Sequence, residues 1–232
     1  MVTIGIIGAM EEEIAYIKEK MQIVSVKNIV GVDFQIGTMH GKSIVLARSG
    51  IGKVNAALCT QVLVDLYGVD YIINIGVAGG VDRELSVGDV VISSEVCQHD
   101  FDCTGFGHEP GVIPRMAESM FKADNALVKL AKTSADMLVG DNKAISGRIV
   151  SGDQFVAKKE DTKRIWDIFK ASCVEMEGGA VAQAAYLNQV PFVIIRTISD
   201  NADEEANSDF AKFVETSAKR SALIIDEMIK GL

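Results

Sequence analysis

The sequence predicts a single α/β domain over residues 1–232, built on a mixed, mostly parallel central sheet flanked by helices. Three observations lead there. The apolar runs at 3–8, 71–75 and 191–198 are continuous rather than alternating, as in strands buried on both faces. Segments with helical spacing separate these runs, and strand–helix alternation favours a parallel sheet covered on both sides. No repeat, low-complexity tract or linker divides the chain.

The elements follow in order. The strand at 3–8 ends in Gly8-Ala9-Met10 and meets Glu11, Glu12 and Glu13, which open a helix continuing through Tyr16 and Ile17. Acidic groups in a first turn complement the positive end of the helix dipole. Residues 34–38 and 43–48 read as a hairpin around His40-Gly41. The turn Ser49-Gly50-Ile51-Gly52-Lys53 precedes a helix with Val54, Ala57, Leu58, Val62, Leu63 and Leu66 at helical spacing, ended by Gly68. The strand at 71–75 runs into a glycine turn, Gly76-Val77-Ala78-Gly79-Gly80, and a strand at 89–96 follows. Residues 99–120 look irregular, with Gly105, Gly107, Pro110, Gly111 and Pro114; a loop of that length is usually functional. A helix at 124–138, a strand at 144–151, a helix at 158–169, an alanine-rich helix at 175–187, a strand at 191–198 and a helix at 209–229 complete the pattern.

Composition narrows the function. Apolar residues at 48% and charged residues at 24% describe an ordinary globular protein. A formal net charge of -9 disfavours nucleic-acid and anionic-lipid partners, which recruit clustered Lys and Arg. No apolar run approaches the roughly 20 residues of a membrane span. The N-terminal run meets glutamates where a signal peptide has a small-residue cleavage site. Cys59, Cys97, Cys103 and Cys173 form no CxxC pair, so reduced thiols and a cytoplasmic location are expected. His40, His99 and His108 do not sit at zinc-ligand spacing with them, and no metal is expected.

The glycine turns invite two misreadings. The first, Gly5-Ile6-Ile7-Gly8, lacks the spacing of a dinucleotide fingerprint. Gly50-Ile51-Gly52-Lys53-Val54 lacks both the first glycine of a phosphate loop and its magnesium-holding Ser/Thr. Each turn alone is a tight bend. Together they mark strand ends, where ligands bind in open α/β sheets.

Acidic residues recur at the same places: Glu11–Glu13, Asp153, Glu175, Glu177 and Asp200. A solvated helix face accounts for Glu11 and Glu12. Glu177 opens a helix of small residues, and Asp200 follows a buried strand, where a carboxylate needs partners or a shifted pKa. Position alone leaves Asp200 equally suited to a helix cap.

The motifs Gly5-Ile6-Ile7-Gly8-Ala9-Met10-Glu11-Glu12-Glu13, Ser49-Gly50-Ile51-Gly52-Lys53-Val54, Val150-Ser151-Gly152-Asp153-Gln154-Phe155, Val174-Glu175-Met176-Glu177 and Ser199-Asp200 resemble, in order, those of the bacterial 5′-methylthioadenosine/S-adenosylhomocysteine nucleosidases. The resemblance spans the chain, and the wider group is that of the purine nucleoside phosphorylases. It implies that Glu13 activates water and that Asp200 protonates the purine, placed by Ser199 with Arg196 nearby. It implies that Glu177 grips the ribose hydroxyls, with Glu175 and Met176 beside it. Phe155 would stack on adenine, and the Val156 backbone would bond the base edge. Met10, Ile51 and Phe210 would form apolar walls. Phe106 and Pro114 would reach into the 5′ pocket of a neighbour, implying a homodimer. Val77 stands where some members carry serine, which puts one polar contact in doubt.

Such chemistry has a physical logic. Breaking an N-glycosidic bond builds positive charge on the sugar and negative charge on the departing base. A carboxylic acid with raised pKa assists the base, and a carboxylate orients water on the opposite face. No cofactor is required. A phosphorylase would bring phosphate to the first glycine turn, which three glutamates disfavour. Cleavage of a futalosine-type nucleoside and a non-catalytic nucleoside-binding module remain the other readings.

Overall fold

In the computed structural model, which describes residues 2–232, β1 (Thr3–Gly8) is buried from Ile4 to Gly8. It pairs in parallel with β4 (Lys42–Arg48) on one side and β5 (Tyr71–Gly80) on the other. Between β1 and β4 lie α1 (Glu11–Lys20), β2 (Gln22–Ile29) and β3 (Val32–Met39). β3 and β4 form the expected hairpin. Its turn places His40 at φ 49 and Gly41 at φ 75, the two left-handed positions of a tight hairpin. β2, an antiparallel partner of β3, is exposed along nearly its whole length. Its Ile23, Val24 and Val26 are strand-forming residues, but they stay exposed, and no strand is read there from the sequence.

α2 (Lys53–Tyr67) follows, closed by Gly68 in the left-handed conformation. β6 (Val90–Gln98) leads into the irregular segment, which holds a one-turn 3-10 helix (Thr104–Phe106) before β7 (Phe121–Lys122). Asp124 caps α3 (Asn125–Asp136), accepting bonds from the Ala126 and Leu127 N–H groups at 3.0 Å each. Then come β8 (Ala144–Ser151), α4 (Lys159–Phe169), β9 (Cys173–Glu175), α5 (Gly178–Leu187), β10 (Phe192–Asp200) and α6 (Ala206–Gly231).

The sheet is mixed. The long ladders β1–β4, β5–β10 and β6–β8 are parallel, while β2–β3–β4, β6–β10 and β5–β9 are antiparallel. Helices cover both faces: α1, α3 and α6 pack on one, α2 and α5 on the other. The sheet is not wholly open. β5 pairs with β10 and also, through Gly79 and Gly80, with β9, so that β5, β10, β6, β8 and β9 close into a ring. Side-chain-free positions at the junction permit that close approach.

Closure corrects four boundaries. Gly76–Gly80 is no turn: β5 continues through all five residues because both sides find strand partners. β10 runs on to Asp200, with a register shift between Ile198 and Asp200. The expected helix at 175–187 begins at Gly178, since Glu175 belongs to β9. α6 starts at Ala206 rather than 209. Cys59, Cys97 and Cys173 are buried free thiols, and no described helix is long and apolar enough to cross a membrane.

Candidate active site

The site is assembled at the ends of β1, β5 and β10 and the starts of α1, α2 and α5. Glu13 lies in the first turn of α1 and folds back over Gly8. Its Oε2 accepts the Ala9 N–H at 2.6 Å and the Met10 N–H at 3.0 Å; its Oε1 accepts the Val77 N–H from β5 at 3.1 Å. A carboxylate offers about four lone-pair positions. Three backbone donors therefore leave one on Oε1 for an incoming water. The close packing needs glycine: a Cβ at Gly76 would stand 2.5 Å from Glu13 Oε1. Burial raises the Glu13 pKa, against the opposing charge of Arg196 and the three backbone bonds.

Glu177 occupies the N-cap position of α5 but turns its side chain away from the helix to accept the Gly52 N–H at 2.7 Å, which ties the α2 turn to the α5 turn. Burial, reinforced by the charge of Glu175, pushes its carboxyl up to about 8. One oxygen is occupied by Gly52; once the group ionises, the other can accept from paired hydroxyls.

Asp200 stands at the end of β10, beside Gly79 of β5. Its Oδ2 accepts the Ser199 hydroxyl and its Oδ1 the Ala202 N–H, both at 2.9 Å. Burial raises its pKa despite those two bonds, as a proton donor requires. Ser199 thus supports Asp200 as the sequence suggests. Ala202 donates to the same carboxylate, but α6 begins only at Ala206 with Glu205 at its cap position, so the helix-cap alternative does not describe Asp200.

Arg196 departs from expectation. Its side chain turns away from Asp200 to Glu175 and Asn74, bonding the Asn74 Oδ1 at 2.6 Å, with arginine and glutamate side chains each only 2% exposed. β10 sends alternate side chains to opposite faces, and the register shift before Asp200 re-aims the acid. Glu175 is corrected with it. Its Oε2 receives Arg196 and the Glu177 and Gly178 N–H groups and its Oε1 the Ser151 hydroxyl, so it supports the α5 terminus from a buried position.

Among the expected apolar walls, Phe155 and Phe210 meet edge to face, ring centroids 5.8 Å apart. Val156 and Val77 are buried, Met10 and Met176 half-buried, and Ile51 exposed. Phe106 is 88% exposed on its one-turn helix, and Pro114 is half-buried in the same irregular segment. Two members escaped sequence reasoning. Asn74 fixes Arg196 and bonds the Ile7 carbonyl at 2.9 Å; its signal was a lone polar residue inside an apolar strand. Ser151 links Glu175 to the Gly179 N–H, without any distinguishing pattern. A separate groove of about 1150 Å³, lined by Val81, Leu85, Lys159, Trp166 and Asn201 among others, touches none of the three acids.

Three carboxylates (Glu13, Glu175, Glu177) face a single guanidinium in this cluster, with a fourth acid at Asp200. Ionised, they leave excess negative charge, an environment that favours a developing cation.

Comparison with known proteins agrees. Residues 3–230 match the family model described as the phosphorylase superfamily. A Shewanella loihica protein named 5′-methylthioadenosine/S-adenosylhomocysteine nucleosidase is 43% identical over 231 residues, 99% of each chain. The Neisseria meningitidis enzyme of that name, solved with methylthio-immucillin-A, superposes with a TM-score of 0.96 at 41% identity over 100% of both chains. A futalosine hydrolase of Helicobacter pylori superposes at 0.94 with 39% identity, covering 100% of this chain and 98% of its own. The chain belongs to the 5′-methylthioadenosine/S-adenosylhomocysteine nucleosidase family of the phosphorylase superfamily.

Proposed function

We infer that this protein hydrolyses the N-glycosidic bond of 5′-methylthioadenosine and S-adenosylhomocysteine, releasing adenine and the thio-ribose. The observation that carries the reading is the pair of buried carboxylates, Glu13 and Asp200, both anchored against β5 and both with raised pKa values. Protonated Asp200 gives its proton to the purine as the bond lengthens. Ionised Glu13 uses its remaining lone pair to orient water toward the anomeric carbon and takes the water proton. Glu177 accepts from the ribose hydroxyls, and the acidic cluster favours the cationic sugar. Phe155 stacks on adenine, the Val156 backbone bonds its edge, and Met10, Ile51, Val77, Met176 and Phe210 enclose the nucleoside. Arg196 acts at a distance, holding Glu175 and moderating Glu13. None of these steps uses a cofactor.

Phosphorolysis fits less well. Glu11, Glu12 and Glu13 occupy the first glycine turn, and nearby Arg48 pairs with Glu11 at 3.6 Å. Similarity to the futalosine hydrolase favours a second reading, in which the same site also accepts futalosine-type nucleosides with a larger 5′ group. Adenine release from 5′-methylthioadenosine, with and without phosphate, tests the main reading. Phosphate-independent release supports it, and strict phosphate dependence moves the chain to the phosphorylases. A second copy covers the 5′ end of the site in this reading. Support comes from exposed Phe106 and from Ile51, Val54 and Leu58, apolar residues exposed around the start of α2. A fully active monomer in sedimentation overturns the homodimer. Location in the cytoplasm accords with the reduced thiols.

A further inference from the structure

Lys53 and Asp100 lie outside the catalytic set, yet their contacts reach both halves of it. Lys53 opens α2, directly after Gly52, whose N–H holds Glu177. Asp100 lies two residues past β6. The Lys53 ammonium meets Asp100 Oδ1 at 2.6 Å, and the pair is mostly shielded, with side chains 17% and 23% exposed. Asp100 Oδ2 accepts the Asp153 N–H at 2.9 Å, while Asp153 Oδ1 accepts the Lys53 N–H at 2.8 Å. The three residues close a loop of bonds. One side of it is the turn that delivers the Gly52 N–H to Glu177, the proposed ribose grip. The other is the segment that continues through Gln154 to Phe155 and Val156, the proposed base platform.

α2 has no side-chain cap of its own, because Gly52 occupies the cap position. Its first free N–H groups are satisfied instead by acids from two different segments, Glu177 and Asp153. Burial works against ionising Asp100, but the Lys53 bond and the Asp153 N–H outweigh it and hold its carboxyl below the usual range. The ion pair is therefore maintained, and a surface pair without further bonds would not hold two loops in register.

We propose that Lys53 and Asp100 are positioning residues, a clamp that fixes the ribose-binding turn at a set distance from the base-binding segment. This rests on the nucleosidase reading. A nucleoside binds both halves at once, so loosening their separation weakens binding of the whole nucleoside first. Glu13 is held by Ala9, Met10 and Val77 and Asp200 by Ser199 and Ala202, none of them part of the clamp, so the chemical step changes less.

The test uses adenine release by the full chain. Lys53→Met raises KM for 5′-methylthioadenosine about 10-fold, while kcat changes by less than about 3-fold. Lys53→Arg keeps the charge and returns KM to within about 3-fold of the original. Lys53→Met also leaves Asp100 unpaired and lowers Tm. In Lys53→Met/Asp100→Asn that unpaired charge is gone, Tm recovers, and KM stays high. A KM that recovers together with Tm, or a kcat that falls while KM holds, overturns the clamp. Failure of the unsubstituted protein to release adenine is a different result and sinks the nucleosidase reading. Calorimetric binding of the nucleoside then reads the clamp, and an unchanged Kd in Lys53→Met overturns it.

Discussion

The guanidinium of Arg196 pairs with Glu175, and the two are sealed from solvent. The arginine therefore serves the acid that organises the start of α5, and it lends its charge to Glu13 and Glu177 from that fixed post.

Removing one member of such a pair strands the other. Arg196→Met is expected to destabilise the fold by about 3–5 kcal/mol, as buried unpaired charges do. Urea denaturation measures it. A loss within experimental error would mean that Ser151 and the backbone donors of Glu177 and Gly178 hold Glu175 unaided.

Asp200→Asn removes the transferable proton while keeping the shape and the acceptor for the Ala202 N–H; the amide nitrogen can only donate toward Ser199. Turnover should fall by about 10²- to 10⁴-fold, with nucleoside affinity changed only slightly. In the unsubstituted protein, kcat/KM should decline on the alkaline side as Asp200 loses its proton above the usual carboxyl range. On the acid side it should decline as Glu13 gains one, again above that range. Equal kcat in the variant removes Asp200 from the chemistry.

Gly76→Ala is a minimal change that places a methyl group on top of Glu13 Oε1. Glu13 must then leave the Val77 N–H or β5 must shift. Turnover should drop by about 10²-fold with the secondary structure intact by circular dichroism. Retained activity would show that Glu13 works from a different rotamer.

Glu177→Gln trades function for stability. The folded-state pKa of Glu177 is about 8, above the ordinary 4.5, so folding favours its protonated form. The stability this group contributes is complete below the ordinary value and is lost as pH rises through about 8. Glutamine stays neutral throughout and keeps an acceptor for the Gly52 N–H. The variant should lose affinity for the ribose, yet its Tm advantage over the original should be larger near pH 9 than near pH 5. A pH-independent difference would contradict the sign of the shift.

The strands and helices were legible where burial leaves a continuous apolar run or a helical stripe, as in Thr3–Gly8 and α2. β2 was missed although Ile23, Val24 and Val26 favour a strand, because no buried apolar run marks an exposed edge. The glycine run Gly76–Gly80 reads locally as a turn, and only its partners β9 and β10 make it a strand. Ring closure is a property of those pairings, invisible in any one segment. Glu177 and Asp200 stood out as acids in apolar surroundings. The direction of the Arg196 side chain did not, since strand phase near a register shift is set by the neighbouring strand.

The two proposed catalytic acids hang from the same rod. Glu13 is fixed at Val77 and Asp200 beside Gly79, two residues further along β5. A strand advances about 3.3 Å per residue, so their anchor points stand about 7 Å apart along a backbone paired throughout with β10. The Glu13 carboxylate is held also by the Ala9 and Met10 N–H groups, so the turn from β1 into α1 shares that gauge with β5. The distance between the two acids is thereby set by the rise of one strand and the turn beside it, so a substitution in the 5′ pocket leaves it unchanged.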